Sequence, residues 1–285
     1  MSQSHRLQQQ RFELKYLIDE GITPALRDFV SGYLELDEYG LKGPNLSYQV
    51  HSLYLDSADL KTFQASVNGA KNRFKLRLRY YDDRPETPVF FEVKARVDNC
   101  ILKQRCGVRR EGVALLLAGQ LPEPELLLSR EPRHLVALQR FNLLQSQLNA
   151  RPKAHNQYLR EAWVSPDDNS IRVTFDREIR MEPCFRPKAV TEMIQPVRVF
   201  PEFTVLELKF TTRHPKWFNQ MVQRFDLMQF SSAKYVEGIE MLGEHRFHDG
   251  EKTFDWQSLA PGEYTPESQP VSKLASETKP SAVYE

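Results

Sequence analysis

The sequence predicts an α+β fold in which an antiparallel β-barrel tunnel with a charged interior is surrounded by helices. The first observation behind this prediction is that charged residues spaced two apart recur in six apolar, strand-like segments. This spacing puts the charges on one strand face and the apolar residues on the other. The second is a set of four or five amphipathic helical segments that need an apolar surface. A barrel with apolar faces outward meets both demands and leaves no sheet edge. A sandwich with its charged faces in solvent is the alternative.

The composition is that of an ordinary globular chain. It has 285 residues, 40% hydrophobic and 27% charged, which is enough for a substantial core. No apolar run approaches the roughly 18 to 20 residues that span a bilayer, and the N-terminal MSQSHRLQQQ lacks the pattern of a secretory signal. The expected location is therefore cytoplasmic. Three cysteines without a CxxC spacing predict free thiols.

The first half of the chain is expected to be mostly strands. Residues 1–10 predict a flexible arm before a single tunnel domain over residues 11–257. A strand at 11–18 precedes a helix beginning near Ile22, because the apolar residues that follow fall at helical spacing. Residues 37–48 contain glycines and a proline and predict a loop. Further strands are expected at about 49–56, 73–82, 88–96 and 100–109.

The second half returns to strands after two helices. Leu-rich segments at 111–118 and 131–148 predict helices separated by a proline-containing break. Strands are expected at about 158–164, 171–177 and 204–210. The segments HPKWFNQMVQRFDL and SSAKYVEGIEMLG predict the two final helices. Residues 258–285 are rich in Pro, Ser and Glu and predict a disordered tail.

The paired charges of the strand-like segments predict one continuous charged surface. Its basic members are Lys15, Lys75, Arg77, Arg79, Lys94, Lys103, Arg105, Lys209 and Arg172. Its acidic members are Glu13, Glu92, Asp176 and Glu207. The net charge of the whole chain is only +1, so the positive excess is concentrated here. A cationic wall with a few carboxylates suits a polyanion and its metal counter-ion.

Two patterns within this surface carry possible chemistry. Arginines at positions 77 and 79 present two forked donors to one ligand, which suits phosphate oxygens; a solvent-facing strand is the alternative. The E-x-K pairs at 13–15, 92–94 and 207–209 offer a lysine for phosphate and a carboxylate for Mg²⁺ or Mn²⁺; cross-strand ion pairing is the alternative. Glu207 is the main metal candidate. The sequence contains no P-loop, GxGxxG or HExxH motif, and no RNP-type motif that would indicate a nucleic-acid partner.

At these residues the chain resembles the vacuolar transporter chaperone (VTC) domain of polyphosphate polymerases, a branch of the triphosphate tunnel superfamily that includes the CYTH phosphohydrolases. The similarity covers about residues 10–245. The segments that carry it are RFELKYLI, SLYLDS, KLRLRYY, FFEVKA, Tyr158-x-Arg160, RVTFDREIR, VLELKF and SAKYVEGI. The resemblance implies an antiparallel tunnel barrel, a divalent metal such as Mn²⁺ or Mg²⁺, and extension of polyphosphate from a nucleoside triphosphate, with ATP expected.

Roles follow from the resemblance and from the charged pattern together. The expected catalytic residues are Lys15, Arg77, Arg79, Lys94 and Lys234. The expected substrate-binding residues are Lys75, Lys103, Arg105, Tyr158, Arg160, Arg172 and Lys209. The expected metal ligands are Glu207, Glu13 and Glu92. Ser231 stands where eukaryotic polymerases carry a second lysine, whereas Arg11 departs from the ExExK strand of the hydrolases and favours the polymerase branch.

Three functions are therefore compared. The leading hypothesis is a metal-dependent polyphosphate polymerase whose partners are a nucleoside triphosphate and polyphosphate, with a separate membrane protein as a further candidate partner. The second is hydrolysis of triphosphate or short polyphosphate in the same tunnel. The third is a non-catalytic polyphosphate or polyanion sensor.

Overall fold

The computed structural model describes residues 12–98, 100–120, 123–166, 170–211, 213–230 and 233–248. The predicted arm at 1–10, the predicted tail at 258–285 and Ser231 lie outside these residues. Within them, ten strands form one sheet whose pairings are all antiparallel. The α+β class predicted from the sequence is confirmed.

Eight strands form the main path of the sheet, in the order β1-β10-β8-β7-β3-β4-β5-β6. Two short strands sit beside it, β2 against β7 and β9 against β8. The strands are β1 Phe12–Asp19, β2 Glu35–Leu36, β3 Tyr48–Asp56, β4 Arg73–Tyr80, β5 Val89–Val97, β6 Cys100–Val108, β7 Arg151–Val164, β8 Ile171–Pro183, β9 Val197–Arg198 and β10 Phe203–Phe210.

Helices connect and cover these strands. They are α1 Thr23–Ser31, α2 Glu38–Lys42, α3 Lys61–Val67, α4 Gly112–Leu117, α5 Pro132–Leu148, α6 Lys216–Arg224, α7 Lys234–Leu242 and α8 His245–His248. Single turns of 3₁₀ helix lie at Glu20–Ile22, Pro44–Leu46 and Pro124–Leu126.

The strand register places the predicted charges on one face of the sheet. Lys15 pairs with Glu207, and Lys209 with Arg172. At the other end of the path Arg77 pairs with Glu92, which pairs in turn with Arg105. Residues directly opposite each other in an antiparallel pair point to the same side. The continuous charged surface predicted from the sequence is therefore a single face, called here the concave face.

The sheet is strongly curled towards that face. Lys94 on β5 lies 3.1 Å from the carboxylate of Glu13 on β1, although five strands separate β1 from β5 in the sheet. Such a contact is possible only if the sheet bends round on itself. In the described residues β1 and β6 end the path and do not pair with each other, so the sheet forms a half-barrel.

The opposite, convex face carries most of the hydrophobic core. One cluster packs α1 and α6 against β1, β10, β8 and β7, with Leu26 and Phe218 fully buried. A second packs α4 and α5 against β3, β4, β5 and β6, where Phe141 meets Phe91 edge to face at 4.9 Å. Helices thus cover the apolar outside of the sheet, as predicted.

A third cluster closes part of the concave side. Its members come from α3 and α7 and from apolar residues of β3, β7 and β10, including Val50 and Val205. The buried carboxylate of Asp56 ties these helices to the sheet: it accepts hydrogen bonds from the amides of Thr62 and Phe63 and, at 2.8 Å, from the hydroxyl of Tyr235. This fixes α7, and hence Lys234 at its first position, over the charged face.

Some boundaries differ from the sequence prediction. β7 and β8 run well beyond the predicted 158–164 and 171–177, because each carries polar residues buried by the convex packing. Within the predicted loop at 37–48, Asp37 caps the short helix α2 by accepting from the Gly40 amide. The helix α3 was not predicted, since its seven residues are too few for a clear period.

The minor predictions have clear outcomes. The three cysteines are free thiols. His51 and His155 are buried on the convex side and hydrogen-bonded to each other at 3.0 Å, which is a structural role. No helix in the described part of the chain is long and apolar enough to cross a membrane.

Candidate functional site on the concave face

Glu207 lies at the centre of the first charged cluster. Its carboxylate is 2.6 Å from Lys209, 3.2 Å from Lys234, 3.6 Å from Arg160 and 3.8 Å from Lys15. The side chain is only 7% exposed. Three strands and the start of α7 therefore bring four cations to one buried carboxylate.

Asp176 joins this cluster from β8. It accepts both forks of the Arg160 guanidinium at 2.7 Å and lies 2.8 Å from Lys234. The bidentate geometry fixes the plane of the arginine. Tyr158 packs beside the same cations, with its ring 5.1 Å from the Lys234 ammonium and 5.2 Å from the Arg160 guanidinium.

Glu92 organises a second cluster on the opposite wall. It is buried, and it lies 2.7 Å from Arg77, 3.1 Å from Lys103 and 3.7 Å from Arg105. Arg105 also stacks 3.5 Å from the ring centre of Phe90. The predicted cross-strand ion pairing is therefore present, and it orients cations that line the concave face.

Arg79 is less completely paired than Arg77. One of its terminal nitrogens donates to the Ser52 hydroxyl at 3.1 Å, whereas its Nε has no hydrogen-bond partner among the described residues. The residue is only 6% exposed. A buried guanidinium N–H without a partner is costly unless an anion completes it, which makes this position suited to a phosphate oxygen.

Glu13 connects the two clusters. Its carboxylate lies 3.2 Å from Lys15 on its own strand and 3.1 Å from Lys94 across the curl of the sheet. Both Glu13 and Glu207 are thus within 4 Å of the Lys15 ammonium.

Arg172 shares the face but has its own partners. It lies 3.0 Å from the Asp37 carboxylate and 3.3 Å from the Tyr48 hydroxyl. Lys75 carries no ion pair among the described residues and lies 5.7 Å from the ring centre of Tyr235. The structure therefore brings every predicted site residue to one face, while it splits them between two main clusters and these flanking positions.

Neighbouring cations lower the pKa of the carboxylates Glu207 and Glu13 although both are buried. Burial alone would raise the pKa of Glu207, but Lys209, Lys234, Lys15 and Arg160 hold it well below its usual range. Burial likewise opposes the ionisation of Glu13, and Lys94 is the main reason that its pKa is lowered. Both groups are ionised near neutral pH.

Three lysines have a lowered pKa. At Lys103 the carboxylate of Glu92 opposes the shift, but burial and the neighbouring Arg105 bring the pKa to about 7. Burial is the main cause for Lys75, reinforced by Lys15 and Lys94, and brings its pKa to about 7. Burial also lowers the pKa of Lys209 to about 8, although Glu207 opposes the shift. Burial and neighbouring cations thus make these ammonium groups easier to deprotonate than free lysines.

The carboxylates have the right chemistry for a hard divalent cation. Mg²⁺ and Mn²⁺ take oxygen ligands and are often held by one or two carboxylates together with substrate phosphates. Glu207 and Glu13, which share Lys15, fit this pattern. No group of three His, Cys, Asp or Glu side chains within the described ranges has metal-ligand geometry. Glu92, surrounded by cations of the opposite wall, does not complete a three-carboxylate site with the other two.

Sequence reasoning missed several members of this site. Asp176 was placed on the charged surface but given no role, although it anchors Arg160 and Lys234. Arg73 lies two residues before Lys75 on β4, and Arg96 lies two residues after Lys94 on β5. The same two-residue spacing that identified the other cations would have placed both arginines on the charged face.

A half-barrel of antiparallel strands with a cationic concave face defines the class of this protein. Residues 10–243 match the family described as the VTC domain, so the chain belongs to the VTC domain family. No curated protein matches the chain.

Two solved structures are similar to it at low identity. A protein from Pyrococcus horikoshii OT3 shares 10% identity, with coverage of 81% of this chain and 100% of that one and a TM-score of 0.42. A putative adenylate cyclase from Bacillus halodurans shares 14% identity, with coverage of 79% and 94% and a TM-score of 0.44.

Proposed function

We propose that this protein is a metal-dependent polyphosphate polymerase that transfers the γ-phosphate of a nucleoside triphosphate, ATP in the first instance, to a growing polyphosphate chain. Membership of the VTC domain family supports this proposal. The observation that carries it is the convergence of cations from seven strands and from α7 on one curled face, which also holds four carboxylates.

The triphosphate would be held between the two clusters. Arg77 and Arg79 offer forked donors from β4, and Lys15 and Lys94 meet at Glu13 from the two ends of the sheet path. Phosphoryl transfer requires mainly that the two substrates are positioned and that the charge on the transferring phosphoryl group is stabilised; it does not require a protein nucleophile. Glu92 would act by orienting Arg77 and Arg105, since the carboxylate already lies against both.

The transfer itself is a simple exchange at phosphorus. A terminal phosphate oxygen of the chain would attack the γ-phosphorus, forming a new P–O–P link. The bond from the γ-phosphorus to the oxygen that bridges it to the β-phosphorus would break, and the nucleoside diphosphate would leave with that electron pair. Lys234 and Arg160, which Asp176 orients, would stabilise the charge on the transferring group.

A divalent metal fits the carboxylates Glu207 and Glu13. These two carboxylates would hold it, and when bound it would neutralise phosphate charge. Glu207 would then exchange part of its contact with Lys209 and Lys234 for the metal. The lysines released in this way would be available to the phosphates.

One incubation separates the three candidate functions. Purified protein is mixed with ATP and Mn²⁺, and the products are resolved by gel electrophoresis and by phosphate assay. Long polyphosphate is the expected result. Orthophosphate alone would favour the hydrolase, and tight polyphosphate binding without turnover would favour a sensor. The variant Arg133→Ala, which removes an exposed cation paired with Glu131 on the convex side, is the control and should behave as wild type.

A further inference from the structure

Arg77 and Arg79 share a strand and a face, but the structure holds their side chains in different ways. Arg77 donates from Nε to the carboxylate of Glu92 at 2.8 Å, and a terminal nitrogen of the same guanidinium lies 2.7 Å from that carboxylate. Among the described residues, Arg79 has no carboxylate within ion-pair distance, and it donates to the hydroxyl of Ser52 at 3.1 Å. A carboxylate offsets the charge that it orients, whereas a hydroxyl does not. The charge of Arg79 is therefore available to a bound anion.

The register of β3 and β4 places Ser52 at Arg79. The two residues lie directly opposite each other in the antiparallel pair, so their side chains share the concave face. Ser52 is fully buried, and Arg79 is nearly so. Few rotamers are open to buried side chains in a packed structure. The hydrogen bond to Ser52 therefore selects the orientation of the whole guanidinium.

The Nε–H of Arg79 is left without an acceptor by this arrangement. It is buried, and no group in the described part of the chain accepts from it. A buried N–H without a partner is costly. The five N–H groups of a guanidinium are fixed in one plane, so anchoring one terminal nitrogen at Ser52 also fixes the direction of Nε–H. The position is thus prepared for an acceptor that the folded chain does not supply.

Asn156 completes this row of the sheet from β7. It lies directly opposite Ser52, and its amide nitrogen donates to the carbonyl of Arg180 at 3.2 Å. Its Oδ1 is buried and accepts no hydrogen bond within the described residues. A hydroxyl has one donor and two acceptor positions. Ser52 can therefore accept from Arg79 on one side while Asn156 offers an acceptor for its proton on the other.

We propose that Ser52 is a positioning residue for Arg79: its neutral hydroxyl fixes the guanidinium so that Nε–H meets a phosphate oxygen of the bound triphosphate, and it does so without offsetting the charge. This inference rests on the proposed function for the identity of the ligand. Ser52 acts through Arg79 and does not itself contact the phosphates. It has at Arg79 the orienting role that Glu92 has at Arg77.

The test is a double-mutant cycle on the binding of inorganic tripolyphosphate. Calorimetry in EDTA compares wild type, Ser52→Ala, Arg79→Gln and the double variant. Loss of the orienting hydrogen bond in Ser52→Ala should weaken binding about three- to tenfold, the range expected for one net hydrogen bond. In the Arg79→Gln background the same change should alter the affinity by less than about twofold, because no guanidinium remains to be oriented.

Three further variants separate the hydroxyl from the space that it fills. Ser52→Cys has nearly the same size but a much weaker acceptor, so it should weaken binding as alanine does, and it decides the question if the alanine variant does not fold. Ser52→Thr keeps the hydroxyl and should stay within about twofold of wild type. Ser31→Ala, the control, removes an exposed hydroxyl that donates to the Asp28 carbonyl, and it should bind as wild type does. Thermal denaturation shows which variants are folded.

The outcomes are distinguishable. A lower Tm of the Ser52 variants with unchanged affinity of the folded protein would mean a purely structural hydroxyl and overturns the inference. Equal weakening with and without Arg79 also overturns it. Wild-type protein that does not bind tripolyphosphate overturns both this inference and the proposed function. Coupling between Ser52 and Arg79 in a protein that makes no polymer from ATP leaves the positioning role standing and overturns the polymerase alone.

Discussion

Replacement of Glu207 by glutamine is the most informative single perturbation of this site. The carboxylate compensates Lys15, Arg160, Lys209 and Lys234 at distances between 2.6 and 3.8 Å. Glutamine has nearly the same volume but no charge. From the sequence alone this substitution would be expected to leave the fold intact; the contacts in the structure predict a cost in stability as well.

The size of that cost follows from the burial of the cluster. Removing one partner of a buried ion pair costs about 3–5 kcal/mol, since the remaining charge is left uncompensated. Asp176 still compensates Arg160 and Lys234, so the lower end, about 3 kcal/mol, is expected. For a domain of this size that lowers Tm by about 6–12 °C.

The pH dependence of this cost has a definite sign. The pKa of Glu207 is lowered in the folded protein, so its contribution to the free energy of unfolding is complete above its unfolded pKa and is lost as the pH falls through the folded one. Wild type and Glu207→Gln should therefore differ most near neutral pH and converge in acid. Thermal denaturation of both proteins between pH 3 and 8 measures this difference as a difference in Tm.

Ligand binding separates a metal ligand from a purely structural carboxylate. In EDTA, Glu207→Gln should bind tripolyphosphate at least as tightly as wild type, because it has one negative charge fewer near the anion. Mn²⁺ should then strengthen binding to wild type but not to the variant, and the variant should lose most ATP turnover. Glu131→Gln, which alters an exposed carboxylate paired with Arg133, is the matched control and should change stability by less than about 0.5 kcal/mol. A Glu207→Gln protein with wild-type Tm and a wild-type response to Mn²⁺ would refute both the electrostatic reasoning and the metal role.

Three further predictions concern other parts of the site. Arg77→Ala and Arg79→Ala should each lower turnover by roughly 10²- to 10³-fold, and lysine should rescue only partly; unchanged polymer synthesis by both folded alanine variants would end the polymerase assignment. Long-chain polyphosphate affinity should fall as the pH rises from 7 to 9, because binding of the anion restores a proton to Lys75, whose pKa is about 7 without ligand. The ligand itself does not cause this change, since phosphate groups ionise near pH 6 and are already ionised in this range. The slope is at most about tenfold per pH unit for each lysine that gains a proton. Because Lys103 also has a pKa of about 7, Lys75→Gln should reduce the slope in calorimetry without abolishing it; equal slopes would contradict the linkage. Asp56→Ala removes the hydrogen-bond acceptor of the Tyr235 hydroxyl and of the first amides of α3. It should therefore destabilise the protein by about 3 kcal/mol and increase hydrogen exchange in α7. Unchanged protection of the α7 amides would show that packing alone holds this helix.

The shared face of the charged residues could be predicted because it is a local property. Successive side chains of a strand alternate between the two sides whatever the strand pairs with. The spacing of Lys75, Arg77 and Arg79, and of Glu207 and Lys209, therefore places each set on one side. The same spacing extends to Arg73 and Arg96, which lie directly opposite each other on β4 and β5.

The sequence pattern did not predict the full length of β7 and β8 or the presence of the helix α3. The extra residues of β7 include Lys153, His155 and Asn156, which are buried polar groups. His155 is inside the convex packing, whereas Asn156 lies on the concave side, directly opposite Ser52. A search for alternating apolar and polar residues does not detect them, because their burial depends on neighbours that are remote in sequence. The same reason hides α3, whose start is held by the carboxylate of Asp56 rather than by its own apolar period.

By itself the sequence determined which side chains share a face, where the helices α1, α4, α5, α6 and α7 lie and which family the chain resembles, because these depend on periodicity and local motifs. Only the tertiary structure decided which charges meet. Glu13 reaches Lys94 because the sheet curls, and Lys234 reaches Asp176 because α7 is held over the face by a hydrogen bond between Tyr235 and Asp56, 179 residues apart. Such contacts depend on the curvature of the whole sheet and on the closure of long loops, which no local spacing encodes.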